Sequence, residues 1–147
     1  MIELQTLPQH MAAALKSAGY RLTPQRMAIC LWLAESNQHP AAQEIFEALK
    51  PRFPSLSLAT VYNTLDTLVS LGVTHAVGHA GDDKIHYDAD TTPHVNLVCV
   101  SCNRIIDMAS QHVMALQEDV HANSGYDLIG SSVTYYGLCP DCQRQQG

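Results

Sequence analysis

The sequence predicts an α+β fold in two parts: helices closed by a two-stranded ribbon, then a small α/β unit held by thiols. Three observations predict it. Helical periodicity runs to about residue 72, strand alternation follows over residues 73–88, and four of the five cysteines fall in two C-x-x-C pairs, Cys99/Cys102 and Cys139/Cys142.

The first helix signal is Thr23-Pro24, a hydroxyl cap followed by proline at the first helical position. Met27, Cys30, Leu31 and Ala34 then recur at helical spacing, so Cys30 is expected in the core. A second helix follows His39-Pro40, with Ala42, Ile45, Phe46 and Leu49 on one face and Pro51 and Pro54 bracketing its end. A third begins near Ser57, carries Val61, Leu65 and Leu68 as its apolar stripe, and ends at Gly72. Its other face shows Ser57, Thr60, Asn63, Thr64 and Thr67, with Tyr62 at the margin. Short hydroxyls, an amide and a tyrosine suit groove reading better than the Lys and Glu of an ordinary solvent face.

In residues 73–88, Val73, Val77, Ile85 and Tyr87 alternate with more polar residues, and AGDD supplies a turn. Three helices followed by a two-stranded ribbon is the order of a winged helix-turn-helix, a DNA-binding fold. The expected division is a winged-helix domain over 1–88, a linker over 89–93 and a second domain over 94–147. The latter reads as strand, knuckle, strand, a helix over about 110–123 ended by Gly125, and a strand over about 126–136 leading to the CPDC tail. About 55 residues is near the lower limit for a self-sufficient core, so a metal staple or a dimer partner is expected.

Composition sets outer bounds. The chain has 147 residues, 46% of them hydrophobic, and a net charge of -6. Residues 1–72 balance five basic against five acidic side chains, whereas residues 73–147 carry three basic against nine acidic. The acidic half could neutralise bound cations while the other half meets phosphate; the plainer alternative is solvated acidic surface. No apolar run reaches the ~18 residues of a membrane span, and the N-terminus lacks the pattern of a signal peptide, so the cytoplasm is the default expectation.

In a reducing compartment, paired C-x-x-C motifs indicate metal rather than disulfides. Cys99, Cys102, Cys139 and Cys142 can close a tetrahedral thiolate site, and four sulfurs with no open position point to structural Zn²⁺. Alternatives are rubredoxin-like iron, a thiol switch and a haem-binding Cys139-Pro140 dipeptide. His94 and Asn96 are two apart on a strand and share a face, whereas Cys99 points the other way. That parity implies a second metal, or one metal and an unrelated polar face. His86 and Asp88 likewise share a face, Asp107 follows the apolar Ile105-Ile106, and His39 precedes a helix. Imidazole with carboxylate suits Fe²⁺, Mn²⁺ or Zn²⁺, against the plainer reading of scattered polar surface in a chain with eight histidines.

Together LTPQRMAI, HPAAQEIF, FPSLSLATVYNTL, CVSC and CPDC resemble the ferric uptake regulator family over nearly the whole chain, most closely its peroxide-sensing repressors. The resemblance implies a homodimeric, non-enzymatic repressor with a regulatory metal between its domains. It implies Fe²⁺ or Mn²⁺ at His39, Asp88, His94 and Asp107, with oxidation of His39 and His94 by iron and peroxide. The family's second histidine of an H-x-H is Asn96 here, a departure that leaves Asn96 or His86 as a further donor. Another sensory site of iron-type members looks absent, with Pro93, Val95 and Ser131 at its positions. Arg21, Ser57, Thr60, Tyr62 and Asn63 are the implied contacts to operator DNA, expected to be an A/T-rich palindrome. Rival readings are sensing of metal supply without peroxide, a cysteine-ligated electron carrier, and a metalloenzyme; the last lacks a separate nucleophile or phosphate loop.

Overall fold

The computed structural model describes residues 7–36, 39–77 and 84–146. Four helices come first: α1 (Leu7–Ser17), α2 (Pro24–Glu35), α3 (Ala42–Leu49) and α4 (Leu58–Ser70). Strands β1 (His75–Val77) and β2 (His86–Asp88) follow, then β3 (Val95–Cys99), β4 (Ile105–Met108), α5 (Gln111–Ser124), β5 (Val133–Gly137) and α6 (Pro140–Gln146).

The predicted caps form. Thr23 Oγ1 accepts from the Arg26 N–H at 3.2 Å with Pro24 opening α2, and Ser57 Oγ accepts from the Thr60 N–H at 3.1 Å at the head of α4. Gly72, at φ 74°, turns the chain out of α4, and Gly125, at φ 71°, does so after α5. Helix α1 is additional to the three predicted helices: Leu7, Met11 and Leu15 line up on one side and join the bundle core. Cys30 is buried as expected. The stripe around it is shifted, because α2 packs between α1, α3 and α4: Ala28, Ile29, Leu33 and Ala34 are buried, while Met27 and Leu31 are only half-buried.

The ribbon pairs antiparallel with His75 opposite Asp88 and Val77 opposite His86. Predicted alternation fails here. All three residues of β2 are buried because it is covered on both faces, and Ile85 lies before the strand, exposed. The AGDD turn lies outside the described residues. On its other edge β2 meets the start of α3, with an Ala41–His86 bridge and a Tyr87 N–H to Pro40 carbonyl bond of 2.9 Å.

In the C-terminal part the strand order is β4-β3-β5, with β4 antiparallel and β5 parallel to β3. A parallel neighbour requires a crossover, which α5 supplies. The strand expected over 126–136 is confined to Val133–Gly137, and the CPDC tail opens α6 instead of ending in coil. The residues before β5 pack across to the helical part: a Cβ on Gly72 would run into the Ile129 carbonyl, and one on Gly130 would sit 3.4 Å from His75 Nε2. Val77 of the ribbon also packs with Val98 and Ile105. Most buried apolar residues lie in the helical part; from residue 94 onward, among the described residues, the buried apolar side chains are Val95, Val98, Cys99, Val113 and Cys142, with His94 and Asn96 the buried polar ones. Among the described residues no helix is long and apolar enough to cross a membrane.

Candidate metal centres

Among the described residues two groups of ligand atoms form, on opposite sides of β3. The first is Cys99, Cys102, Cys139 and Cys142, whose sulfurs all lie within 4.8 Å of one another. Cys102 Sγ and Cys139 Sγ are 3.9 Å apart. A tetrahedral ion with ~2.3 Å bonds to sulfur requires an edge of ~3.8 Å, so this spacing fits structural zinc. Backbone N–H groups of Cys102 and Cys139 draw the Cys99 thiol down to about 6, and the Cys139 N–H lies 3.4 Å from Cys99 Sγ; a bond with Ser101 favours the Cys142 thiolate, but the neighbouring sulfurs outweigh it and push Cys142 up to about 12. The site links the end of β3 to the turn between β5 and α6, closing the C-terminal part across its sheet.

Strand register builds the second group. Pairing of Ala41 with His86 carries His39 opposite Asp88, which faces His75 on its other side. In the C-terminal sheet Asn96 is the register partner of Asp107, and His94 lies two residues before Asn96 on the same face. The two rows meet. His39 Nε2 is 2.7 Å from Asp107 Oδ1 and 3.2 Å from Asp88 Oδ2. His94 Nε2 is 2.9 Å from Asp88 Oδ2, 3.5 Å from Asp107 Oδ1 and 3.2 Å from Asn96 Oδ1. Ligand atoms of His39, Asp88 and Asp107 lie within 4.8 Å of one another.

Orientation of these groups is fixed from outside. His94 Nδ1 is 2.6 Å from the Thr92 carbonyl, which makes Nδ1 the donor and leaves Nε2 to the cluster. Asp88 Oδ1 accepts from the Asp90 N–H at 2.9 Å, leaving Oδ2 inward. Among the described residues His39 Nδ1 is buried without a hydrogen-bond partner. The electrostatics are those of cations and carboxylates in contact. The hydrogen bond to Asp88 outweighs burial and raises His94 to about 9. Burial would raise Asp88, but bonds from His39 and His94 hold it far below the usual carboxylate range. Burial would lower His39, yet Asp88 and Asp107 raise it. Two carboxylates and neutral imidazoles are the donor set of a divalent transition metal, whose charge they would cancel.

His86 shares the Asp88 face as expected, but its Nδ1 is 2.5 Å from the His39 carbonyl, holding the backbone that presents His39. His75 received no role from sequence. It is buried opposite Asp88, its Nε2 has no hydrogen-bond partner among the described residues, and burial lowers its pKa. Only the strand register reveals it.

The residues expected at DNA are separate from both centres. Tyr62, Asn63 and Ser57 are exposed on α4 and its cap, Thr60 is half-exposed, and Arg21 is exposed in the segment before α2. Ser57 Oγ and Thr60 Oγ1 are 2.9 Å apart, so both serve the helix start. Thr64 does not belong to the outer face: it is buried and donates to the Thr60 carbonyl at 2.8 Å.

Comparison with known proteins agrees with this architecture. Residues 17–136 match a family model described as the ferric uptake regulator family. The peroxide-responsive repressor PerR of Staphylococcus epidermidis is 33% identical over 133 residues, covering 90% of this chain and 88% of that protein. The structure of PerR from Streptococcus pyogenes, described as a basis for peroxide sensing and gene regulation, superposes with a TM-score of 0.54 at 36% identity, covering 93% of each chain. The Helicobacter pylori ferric uptake regulator, described as having three functional metal-binding sites, superposes with a TM-score of 0.72 at 21% identity over 97% of this chain and 95% of that one, a likeness of fold. Proteins of this kind are dimeric, metal-responsive DNA-binding regulators and not enzymes. With its winged-helix order, its four-cysteine cluster and a match across most of its length, this chain belongs to the ferric uptake regulator family, as a metal-responsive repressor.

Proposed function

We propose that the chain is a homodimeric repressor whose DNA-binding shape is set by Fe²⁺ or Mn²⁺ at His39, Asp88, His94 and Asp107, with Zn²⁺ at the four cysteines, and that its iron form responds to hydrogen peroxide. The observation that carries the reading is the meeting of His39 and Asp88, from the helical part, with His94 and Asp107, from the C-terminal part. The proposed domains are 1–88 and 94–147 about a hinge at 89–93. Asp88 and His94 flank that hinge, and bonds from Asp90 N–H to Asp88, from Thr92 to Asp90 and from His94 to Thr92 run along it. A metal engaging both ends would therefore fix the angle between the reading head and the dimer body.

Exposed Met114, Leu116, Val120, Tyr135 and Tyr136 supply apolar surface for a second copy. Exposed Tyr62 and Asn63, with Arg21, supply contacts to thymine methyls, base edges and an A/T-rich minor groove of a palindromic operator. Bound Fe²⁺ would supply the electron for peroxide reduction, a reaction Mn²⁺ does not support. His39 and His94 present Nε2 to the same carboxylates, and with Fe²⁺ between them either ring would be able to take one oxygen atom from peroxide, losing two electrons overall as the second oxygen leaves as water. An oxidised imidazole is a poorer donor, so metal would leave and the hinge relax.

Asn96 favours a second reading, sensing of iron, manganese or zinc supply alone, because it stands where the resemblance to peroxide-sensing repressors implies a histidine. Operator binding by the zinc-containing dimer, loaded with Fe²⁺ or Mn²⁺ and then given peroxide, separates the two. Release of the iron form alone, with one added oxygen on His39 or His94 by mass spectrometry, supports peroxide sensing. Binding by both forms and no oxidised histidine leaves supply sensing.

A further inference from the structure

We propose that Asn96 is the selectivity-determining donor of the second centre, its side-chain carbonyl oxygen biasing the site toward Mn²⁺ and Fe²⁺ and away from Zn²⁺. The proposal rests on the regulatory-metal reading above and specifies which further group completes it.

Asn96 is 1% exposed in the middle of β3. A buried amide must place both of its ends. Its Nδ2 lies 3.5 Å from the Val133 carbonyl, and a carbonyl can only accept, so the NH₂ end faces β5. The oxygen is thereby turned into the cluster, 3.2 Å from His94 Nε2. Its register partner Asp107 projects from the same face of the sheet. His86, the other possible fifth donor, has its Nδ1 2.5 Å from the His39 carbonyl, where it holds the backbone that presents His39.

Chemistry then assigns the consequence. His39 and His94 offer nitrogen; Asp88, Asp107 and Asn96 offer oxygen. Affinity rises from Mn²⁺ through Fe²⁺ toward the later metals most steeply when donors are nitrogen or sulfur. A neutral oxygen in place of a nitrogen flattens that rise and costs Mn²⁺ least. The two carboxylates already cancel a divalent charge, so the amide alters donor type without altering net charge. With its imidazole neutral, Asn96→His therefore changes the donor from oxygen to nitrogen without changing the charge of the site.

The experiment uses the full-length dimer with its cysteine site pre-loaded with zinc, without DNA, in chelator-buffered titrations of Mn²⁺ and of Zn²⁺. Wild type, Asn96→His, Asn96→Ala and His39→Ala are compared, with thermal unfolding of each metal-free form as the control for folding. Asn96→His is expected to raise the preference for Zn²⁺ over Mn²⁺ by on the order of tenfold. Asn96→Ala is expected to weaken Mn²⁺ by a similar factor, and it serves alone if the histidine variant does not fold. If His39→Ala loses the metal but Asn96→His keeps the wild-type ratio, or Asn96→Ala keeps wild-type Mn²⁺ affinity, Asn96 is not the selectivity residue, while the metal reading survives. If His39→Ala binds Mn²⁺ as wild type does, the centre is not the site and both readings fall.

Discussion

His39 and Asp107 are 68 residues apart in sequence, yet His39 Nε2 lies 2.7 Å from Asp107 Oδ1. One stands at the head of α3 beside the ribbon, the other in β4. A divalent ion bound there would hold the two parts together, so its binding energy becomes stability. At a Mn²⁺ concentration one hundred times its dissociation constant, the folded closed form should gain about 2.7 kcal/mol. Calorimetry with and without Mn²⁺ measures this. His39→Ala or Asp107→Ala should abolish the gain; a variant that retains it would show the ion binding elsewhere.

The cysteine cluster should matter more to the C-terminal part than the second centre does. Few apolar residues are buried from residue 94 onward, and two of those are Cys99 and Cys142. Removing zinc with a strong chelator, or substituting Cys142→Ser, should melt the C-terminal sheet and dissociate dimers while α1–α4 persist. Far-UV circular dichroism and sedimentation report the two effects separately. Loss of all helix together would show that the helical bundle does not stand alone.

At the proposed DNA face, Tyr62 and Arg21 should behave differently. Tyr62→Ala removes an exposed ring that can meet thymine methyls, and should cost about 1–3 kcal/mol on the operator with little loss on random DNA. Arg21→Ala should weaken both and reduce the slope of log K against log salt by about 1 per arginine removed. Titrations at several salt concentrations distinguish these; identical losses on operator and random sequence for Tyr62→Ala would remove its reading role.

Local signals in the sequence marked helix ends and knuckles, although helices α1 and α6 were not among the predicted elements. Thr23-Pro24, Ser57 and Gly72 marked helix ends because capping is decided within four residues. The paired cysteines were legible because knuckle spacing is itself the ligand geometry. Tertiary packing decided the rest. Periodicity placed Met27 and Leu31 inside α2, but contacts with α1, α3 and α4 rotated the buried stripe. Thr64 read as surface until its hydroxyl satisfied the Thr60 carbonyl within the helix. The position of His75 beside Asp88 depends on register across the ribbon, which has no signature in single residues.

Gly72 is fixed by two independent constraints. Its φ of 74° is strained for any side chain, and a Cβ would collide with the Ile129 carbonyl. Gly72→Ala should therefore cost more than the ~1 kcal/mol of the left-handed conformation alone. The surplus measures how firmly the end of α4 is held against the loop before β5. Truncation of the Ile129 side chain leaves its carbonyl in place and should not rescue the alanine variant. Denaturant unfolding of both variants checks this; a cost near ~1 kcal/mol would mean the loop yields freely.

Cys30 gives a prediction of opposite character to the cysteine cluster. Burial raises its thiol to about 11. Tyr87, also buried beside α4, is raised to about 12. An acid whose folded pKa lies above its unfolded value stabilises the fold fully below the unfolded value and loses that contribution as pH rises toward the folded one. For Cys30 the window opens near 9.0 and closes near 11; for Tyr87 it runs from 10.0 to about 12. Stability should thus fall through the alkaline range, and Cys30→Ala should flatten the first part of that fall even if it lowers stability at neutral pH. At neutral pH the neutral, enclosed thiol should resist iodoacetamide until the chain unfolds. Equilibrium unfolding at several alkaline pH values, with the alkylated cysteine located by mass spectrometry, tests both. Rapid native-state alkylation of Cys30 would show that the α2 core opens far more readily than its burial implies.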